Sequence, residues 1–459
     1  MYDIRVALAS PSRHPRMAVV LGRLLGSAFL ICFFTGLYSH FIQNPAPWMV
    51  FPTFIPNLYA ITQGLHIAAG IACFPLILGK LYTIYPRLFV YPPITGFLNL
   101  LERASIALFV AASLVEIVIG MINTADWYPF PFPFRQTHFA LAFVIIGSLA
   151  IHIGVKLPII TRYWTKKGSY DADGVLIPPD DDEEPGIDRD SVIPEAGEVS
   201  EKLPVPVKAA AQMARGLTGR ILAWIDATPD ALVTKPRELP ATGMTSAPAP
   251  AADFPAIVRK ARTSRRGFLV TVFASLAGVV AFWSGQSFKP LAPLNLIAPR
   301  AQGDGPNELP INRTSQMARI TAEMVGENYR LVIKRGDAIK TFTYAQLLAM
   351  PQQIVQLPIA CVNGWSQTAS WKGIRLNTLM DEVGRKPGEA IMLTSLEVKG
   401  NYRVTTMGPE FVDNDLTLVA LHLNGQVLDI EHGYPARMIA PSRPGVLQTK
   451  WLSTLEVTT

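Results

Sequence analysis

Cysteine is scarce in this chain. Only 3 of its 459 residues are cysteine, and two of them, Cys32 and Cys73, lie inside long apolar runs. A disulfide framework is therefore excluded, and cysteine usage leaves the redox compartment open. Charge is sparse too, at 17% of residues. The formal net charge of +6 does not come from a basic patch. The lysines and arginines gather at the ends of apolar runs, where they set orientation across a bilayer, so nucleic acid is excluded as a partner. Hydrophobic residues make up 49% of the chain, high for a water-soluble protein, and they are unevenly spread. Residues 1–160 are apolar, 165–262 polar and proline-rich, and 300–459 mixed. The length accommodates two or three domains.

Four apolar stretches, residues 19–41, 58–81, 97–122 and 137–160, read as transmembrane helices. Each is long enough to cross about 30 Å of hydrocarbon at about 1.5 Å per residue. Arg13, Arg16 and Arg23 precede or open the first. Lys80, Arg87 and Arg103 separate the second from the third, and Lys156, Arg162, Lys166 and Lys167 close the fourth. The other two loops hold one arginine between them and are rich in Trp, Tyr, Phe and Pro. The positive-inside rule then puts the N-terminus, and the end of the fourth helix, in the cytoplasm. Residues 165–262, with the run Asp180-Asp181-Asp182-Glu183-Glu184 and many prolines, read as a solvated cytoplasmic linker, with a short helix expected at 217–225.

A fifth apolar segment, 268–283, follows Ser264-Arg265-Arg266-Gly267-Phe268-Leu269. This string resembles the twin-arginine export motif, here internal; the plain alternative is positive flanking of a span. Because the linker is inside, this span delivers residues 290–459 outside, and an N-terminal signal peptide is not required. The expected division is a four-helix transmembrane domain (1–164), the linker (165–262), the motif with its helix (263–289) and an extracytoplasmic domain (290–459) of mixed, β-rich α+β fold. Strands are expected at 329–334, 390–398, 416–423 and 454–457, and short helices at 344–350 and 376–383. Asn424-Gly425 reads as a hairpin turn.

Imidazoles inside a span are costly and usually functional. His66 lies in the second span, and His138 and His152 in the fourth, sharing a helical face about 21 Å apart. Neutral imidazole is a good axial ligand for haem iron; the bland alternative is a hydrogen bond between helices. With Gln63-Gly64-Leu65-His66, the pattern resembles the di-haem cytochrome b subunits of membrane formate dehydrogenases and related hydrogenases. The resemblance implies one haem b held by His66 and His138. A second haem, at His152, is left open, because Gly26 stands where that family has a ligand; His14 is a substitute or a surface turn.

Cys361 is the one cysteine outside a membrane-length segment. It opens Cys361-Val362-Asn363-Gly364-Trp365-Ser366, and His432-Gly433-Tyr434-Pro435-Ala436-Arg437 and Lys450-Trp451 follow. A thiolate candidate with distal cations points to a soft, sulfur-held metal beside an anionic cofactor. Together with Trp371-Lys372-Gly373-Ile374-Arg375-Leu376 and Leu423-Asn424-Gly425, these motifs resemble the molybdopterin domain of the sulfite oxidase family, in its bacterial periplasmic sulfoxide reductase-like branch. The resemblance covers residues 305–459. It implies Mo-molybdopterin, with Cys361 as the catalytic molybdenum ligand. It also implies that His432, Arg437 and Lys450 hold the pterin and its phosphate, that Gln448 and Thr449 offer backbone contacts, and that Asn312 and Ser395 are further contacts. Arg313, Arg375 and Arg403 are candidates for gripping a substrate anion, none fixed by a motif. The implied activity is oxygen-atom transfer on a small oxo-donor or oxo-acceptor (sulfoxide, sulfite or N-oxide), with electrons exchanged through the membrane haem, a quinone being a further possible partner. The alternative is a non-catalytic electron-transfer or assembly protein with a degenerate outer domain.

Overall fold

The computed structural model describes residues 11–85, 94, 96–165 and 265–458. The acidic run, the helix expected at 217–225 and Ser264 of the export-like string lie outside the described residues.

Among the described residues, five helices are long and apolar enough to cross a membrane: α1 (Pro15–Gln43), α2 (Leu58–Ile84), α3 (Phe97–Thr124), α4 (Phe134–Arg162) and α5 (Arg265–Ser284). Each runs a few residues beyond the apolar stretch expected from the sequence, because helical hydrogen bonding continues through polar flanks such as Arg135 and Gln43. Large apolar side chains, among them Phe34, Leu101, Leu108, Phe143 and Val270, stand exposed on these helices. Water tolerates such patches poorly, whereas hydrocarbon accepts them, and the helix satisfies its own backbone groups there.

The chain divides into two compact units. The first gathers residues 1–27, 74–115 and 141–275; the second gathers 28–73, 116–140 and 276–459. In the first, the ammonium of Lys156 meets Glu102 at 2.6 Å. Arg16 donates to the carbonyl of Tyr163 at 2.5 Å, satisfying a carbonyl at the fringe of α4.

The second unit contains the β-rich domain. Its strands are β1 (Arg330–Arg335), β2 (Ala338–Thr343), β3 (Gln353–Ala360), β4 (Ser366–Arg375), β5 (Ala390–Ser395), β6 (Val404–Met407), β7 (Leu418–Leu423), β8 (Gln426–Val427), β9 (Arg437–Ile439) and β10 (Leu452–Thr458). One sheet has the order β2-β1-β10-β5-β6; the other runs β3-β4-β7-β8, with β9 also on β7. β1 and β10 pair in parallel, through Val332 opposite Thr454 and Ile333 opposite Leu455. The two-residue period of a strand sends alternate side chains inward: Leu331 and Ile333 from β1, Ile391 and Leu393 from β5, Leu455 and Val457 from β10. Val419, Leu421 and Met438 of the second sheet complete this core with Leu376 and Leu379 from a short helix, Leu376–Asp381. The hairpin turn at Asn424-Gly425 joins β7 to β8, both residues adopting positive φ. A second short helix, Tyr344–Ala349, starts with a capping box between Thr343 and Gln346. Such a box satisfies two donors at the helix end.

Candidate active site

β3 and β4 form an antiparallel hairpin in which Ala360 faces Ser366, so residues 361–365 are its loop. Two hydrogen bonds tighten that loop: Cys361 N donates to Trp365 O at 2.9 Å and Gly364 N to Cys361 O at 3.0 Å. Cys361 is 2% exposed and shares an apolar cluster with Trp365, Trp371 and Ile439, against Tyr434. Burial pushes its thiol up to about 12, the first cause being desolvation of the thiolate.

The cationic residues come from the far end of the chain. A turn at Ile430–His432 is capped by the Asp429 carboxylate, which accepts from Glu431 N at 2.8 Å. Gly433 follows with φ of 105°. A Cβ there would approach the Lys450 and Arg437 side chains at 3.0 and 3.1 Å, so glycine serves both the left-handed backbone and the close approach. Beyond it, Met438 N donates to Thr449 O and Leu452 N to Ala436 O, both at 2.8 Å. This lays residues 436–438 beside 449–452 and assembles His432, Arg437 and Lys450 in one place.

Backbone carbonyls meet both cations. Arg437 donates to the carbonyls of His432 and Gln448 at 3.1 and 3.3 Å, and its guanidinium lies over the Trp371 ring at 5.0 Å. Lys450 Nζ donates to the carbonyls of Glu431 and Arg313 at 2.6 and 2.7 Å. Desolvation pushes Arg437 down to about 9 and Lys450 well below its ordinary value. His432, 1% exposed, has Nε2 2.8 Å from the carbonyl of Pro306. Because a carbonyl only accepts, Nε2 carries the proton there. Desolvation first, and then the nearby Arg437, push this imidazole down to about 3.

Residues 318–459 match a family model described as "Oxidoreductase molybdopterin binding domain". Among curated proteins, the chain is similar to "Sulfite oxidase, mitochondrial" of Drosophila melanogaster, 26% identical over 156 residues, which cover 28% of this chain and 27% of that protein. Among solved structures, it is similar to the sulfane dehydrogenase SoxCD from Paracoccus pantotrophus. That match has 26% identity and a TM-score of 0.26, and it covers 28% of this chain and 38% of that one. The chain thus spans well under two thirds of the length of either relative. The C-terminal region is a sulfite oxidase-like molybdopterin-binding domain.

The residues of this molybdopterin domain suit the group its family binds. Buried cations satisfied by carbonyls retain net positive charge, which favours an anionic ligand. Arg437 Nε and Trp365 Nε1 are buried without a hydrogen-bond partner, donors of the sort that a bound polar group satisfies. Cys361 adds a soft sulfur.

The remaining expected contacts fall as follows. Ser395 ends β5 on its inward face and donates to the Lys450 carbonyl at 2.8 Å. Gln448 is a clamp: its side-chain amide bonds both backbone groups of Ala440 at 2.8 Å and the carbonyl of Arg443 at 3.1 Å. The Thr449 hydroxyl meets that of Thr405 at 3.2 Å. Asn312 is half-buried in a bend before the helical turn Ser315–Ala318. Of the substrate-anion candidates, Arg313 is paired with Glu397 at 2.6 Å. Arg375 is paired with Asp415 at the surface, and Arg403 joins Ser395 through its backbone carbonyl. The sequence reading missed Arg443, buried at 3% and donating to the carbonyls of Leu447 and Thr406. It also missed Gln286, 1% exposed, with its side-chain amide unpartnered. Neither sits in a recognisable motif.

The histidines divide between the units. In the second, the His66 and His138 rings lie 6.1 Å apart at 65°. His66 Nδ1 is 3.0 Å from the carbonyl of Cys32 and 3.1 Å from the Thr35 hydroxyl. His138 Nδ1 is 3.1 Å from the Glu116 carboxylate, a close charge contact without hydrogen-bond alignment. With Nδ1 of each ring in these contacts, Nε2 is the nitrogen of each that could bind a metal. Two imidazoles about 2 Å from one metal have ring centres about 6 Å apart, so the pair suits a shared iron. Gly36 lies beside the His66 ring and Gly120 beside that of His138. In the first unit, His152 is stacked on Phe109, with centroids 6.3 Å apart. It lines a small cavity with Lys80 and Ser113. His14 is engaged with Arg16 N and the Tyr163 ring.

Proposed function

We propose that the chain is a membrane-bound molybdenum oxidoreductase that moves an oxygen atom to or from a small substrate outside the cytoplasmic membrane. Electrons would be exchanged with a b-type haem held by His66 and His138, and beyond it with a membrane quinone. The layout proposed is four spans with a cytoplasmic N-terminus, a cytoplasmic linker, and a fifth span that carries the catalytic domain outward behind the twin-arginine-like string. The observation that carries this reading is the juxtaposition, in one molybdopterin domain, of a buried hairpin-loop thiol with carbonyl-held cations.

When bound, the molybdenum pterin supplies two-electron oxygen-atom exchange, and the haem supplies single-electron relay. The protein's part is ligation and positioning. Cys361 would bind the metal and surrender its proton on doing so, as metal ligands must. Arg437 presents a planar fork and Lys450 a point charge to the cofactor phosphate. His432, neutral at physiological pH, is held by Pro306 and offers its ring edge without adding charge. Gln448 holds residues 440–448 in register, so that Arg437 and Lys450 keep their spacing. Two of the three candidate arginines for a substrate anion, Arg313 and Arg375, are already engaged by Glu397 and Asp415, which supports a neutral sulfoxide or N-oxide over the sulfite anion.

The test is elemental and optical analysis of the detergent-solubilised chain. About one molybdenum and at least one b-type haem per chain are expected. Molybdenum without a Soret band would reduce the helices to an anchor, and absence of both would favour an assembly protein.

A further inference from the structure

The loop that carries Cys361 is gripped by the helices of its own unit. The carbonyl of Val362 accepts two side-chain amides, Gln63 Nε2 of α2 at 3.2 Å and Asn123 Nδ2 of α3 at 3.4 Å. The amide of Asn363 donates to the Asp126 carboxylate, which Arg300 holds at 2.8 Å. Ser287 donates to the carbonyl of Gly364, and Ser366 N donates to that of Gln286 at 2.9 Å. Gly364 has φ of +97°, and a Cβ there would come within 2.9 Å of Ile67 on α2. The backbone of this loop therefore rests directly on that helix.

These contacts are placed beside the histidine pair. Gln63 stands one turn before His66 on α2, on the same face, and Ile67 is its immediate neighbour. Asn123 stands seven residues, about two turns, beyond Glu116, the partner of His138, on one face of α3. Each histidine therefore has a covalent or charge-contact path that ends at the same carbonyl, one peptide away from Cys361.

We infer that Gln63 and Asn123 form a fixed electron bridge from the His66–His138 pair to the Cys361 loop, with no docking motion between them. This deepens the function proposed above and rests on it. Electron tunnelling is carried better by covalent and hydrogen bonds than across gaps. A shared carbonyl acceptor supplies two such routes, and the packing of Ile67 on Gly364 closes the gap between them. The bridge passes one electron at a time. Two passages, with two protons from the aqueous face, balance the reduction of one sulfoxide to a sulfide and water. Gln63 and Asn123 are positioning residues, since they touch the loop rather than the reacting atoms.

The test needs no substrate. In the full, cofactor-loaded chain, a photogenerated flavin semiquinone gives one electron to the haem, and relaxation of the haem band reports its equilibration with molybdenum. In the unaltered protein the relaxation rate should be independent of solvent viscosity. Gln63→Leu should slow it several-fold and Gln63→Leu with Asn123→Leu further, with Soret intensity and molybdenum content unchanged. A rate that falls in proportion to viscosity would replace the bridge with a docking motion. An unchanged rate in the double variant would remove these residues from the route. Either result overturns the inference and leaves the oxidoreductase standing, whereas an unaltered chain that holds molybdenum but no haem band takes away the inference together with the haem part of the proposed function.

Discussion

The two proposed cofactor sites treat their polar groups in opposite ways. The site around Cys361 buries cations and satisfies them with backbone carbonyls. Carbonyl dipoles orient a cation without cancelling its charge, so the site keeps a demand for an anion. The His66–His138 pair is half-buried and engages Nδ1 of each ring, through Cys32 and Thr35 for one and Glu116 for the other. That arrangement leaves lone pairs and little charge, the requirement of a metal held between imidazoles. The kind of partner that completes a buried polar group thus indicates the kind of ligand still wanted.

The sharpest way to break this comparison is to remove one ligand from each site. Cys361→Ser should abolish substrate turnover with dye donors while the Soret band survives. His138→Ala should abolish the Soret band while molybdenum content and dye-driven turnover survive. If the losses appear together in either variant, the two sites are not independent. Substantial turnover in Cys361→Ser would remove the thiol from the centre of the mechanism.

Arg437→Met sharpens the contrast at the cationic site. Removing the guanidinium relieves a desolvated charge but leaves the carbonyls of His432 and Gln448 without that donor. These effects oppose each other at about 1–3 kcal/mol each, and the unbranched apolar side chain keeps part of the cover over the Trp371 ring. Cofactor-free protein should therefore unfold close to the unaltered chain in a thermal melt, while pterin content of the isolated protein falls sharply. A melt lowered as much as the pterin content would make Arg437 a structural residue.

Much of this was legible in the sequence, for physical reasons. The five helices stand out because a bilayer demands long apolar runs, and the ladder needs Val-, Ile- and Leu-rich alternation at β1, β5, β7 and β10. Cys361, His432, Arg437 and Lys450 stand in local strings, and the fold gathers the last three. Strands β3 and β4 were not expected: Pro358 interrupts the first, and the second coincides with a string read for its motif, Trp371 to Arg375. Gln63, Asn123, Asp126 and Gln286 escaped because their roles depend on chain-distant contacts. Gln63 and Val362 are 299 positions apart, and nothing local marks such an amide. Register between distant strands, such as β1 beside β10, is equally invisible to periodicity.

The smallest effect lies outside both sites, where a carboxylate is compensated mainly by a counter-charge. Arg335 grips Glu389 with two hydrogen bonds, at 2.8 and 3.2 Å, and Lys386 N adds a third at 2.8 Å. The Arg335 hydrogen bond first, then that of Lys386, holds the Glu389 carboxyl at about 2 against an ordinary value of 4.5. The folded-state value is the depressed one, so the pair contributes its full stability above about pH 4.5 and loses it as pH falls toward about 2. Surface screening keeps that contribution small. Glu389→Gln should melt slightly below the unaltered chain at neutral pH, and the difference should close between pH 4.5 and 2. A gap that stays constant through that window would mean that the side chain acts by packing, and that the pair, like the buried cations, owes little to its counter-charge.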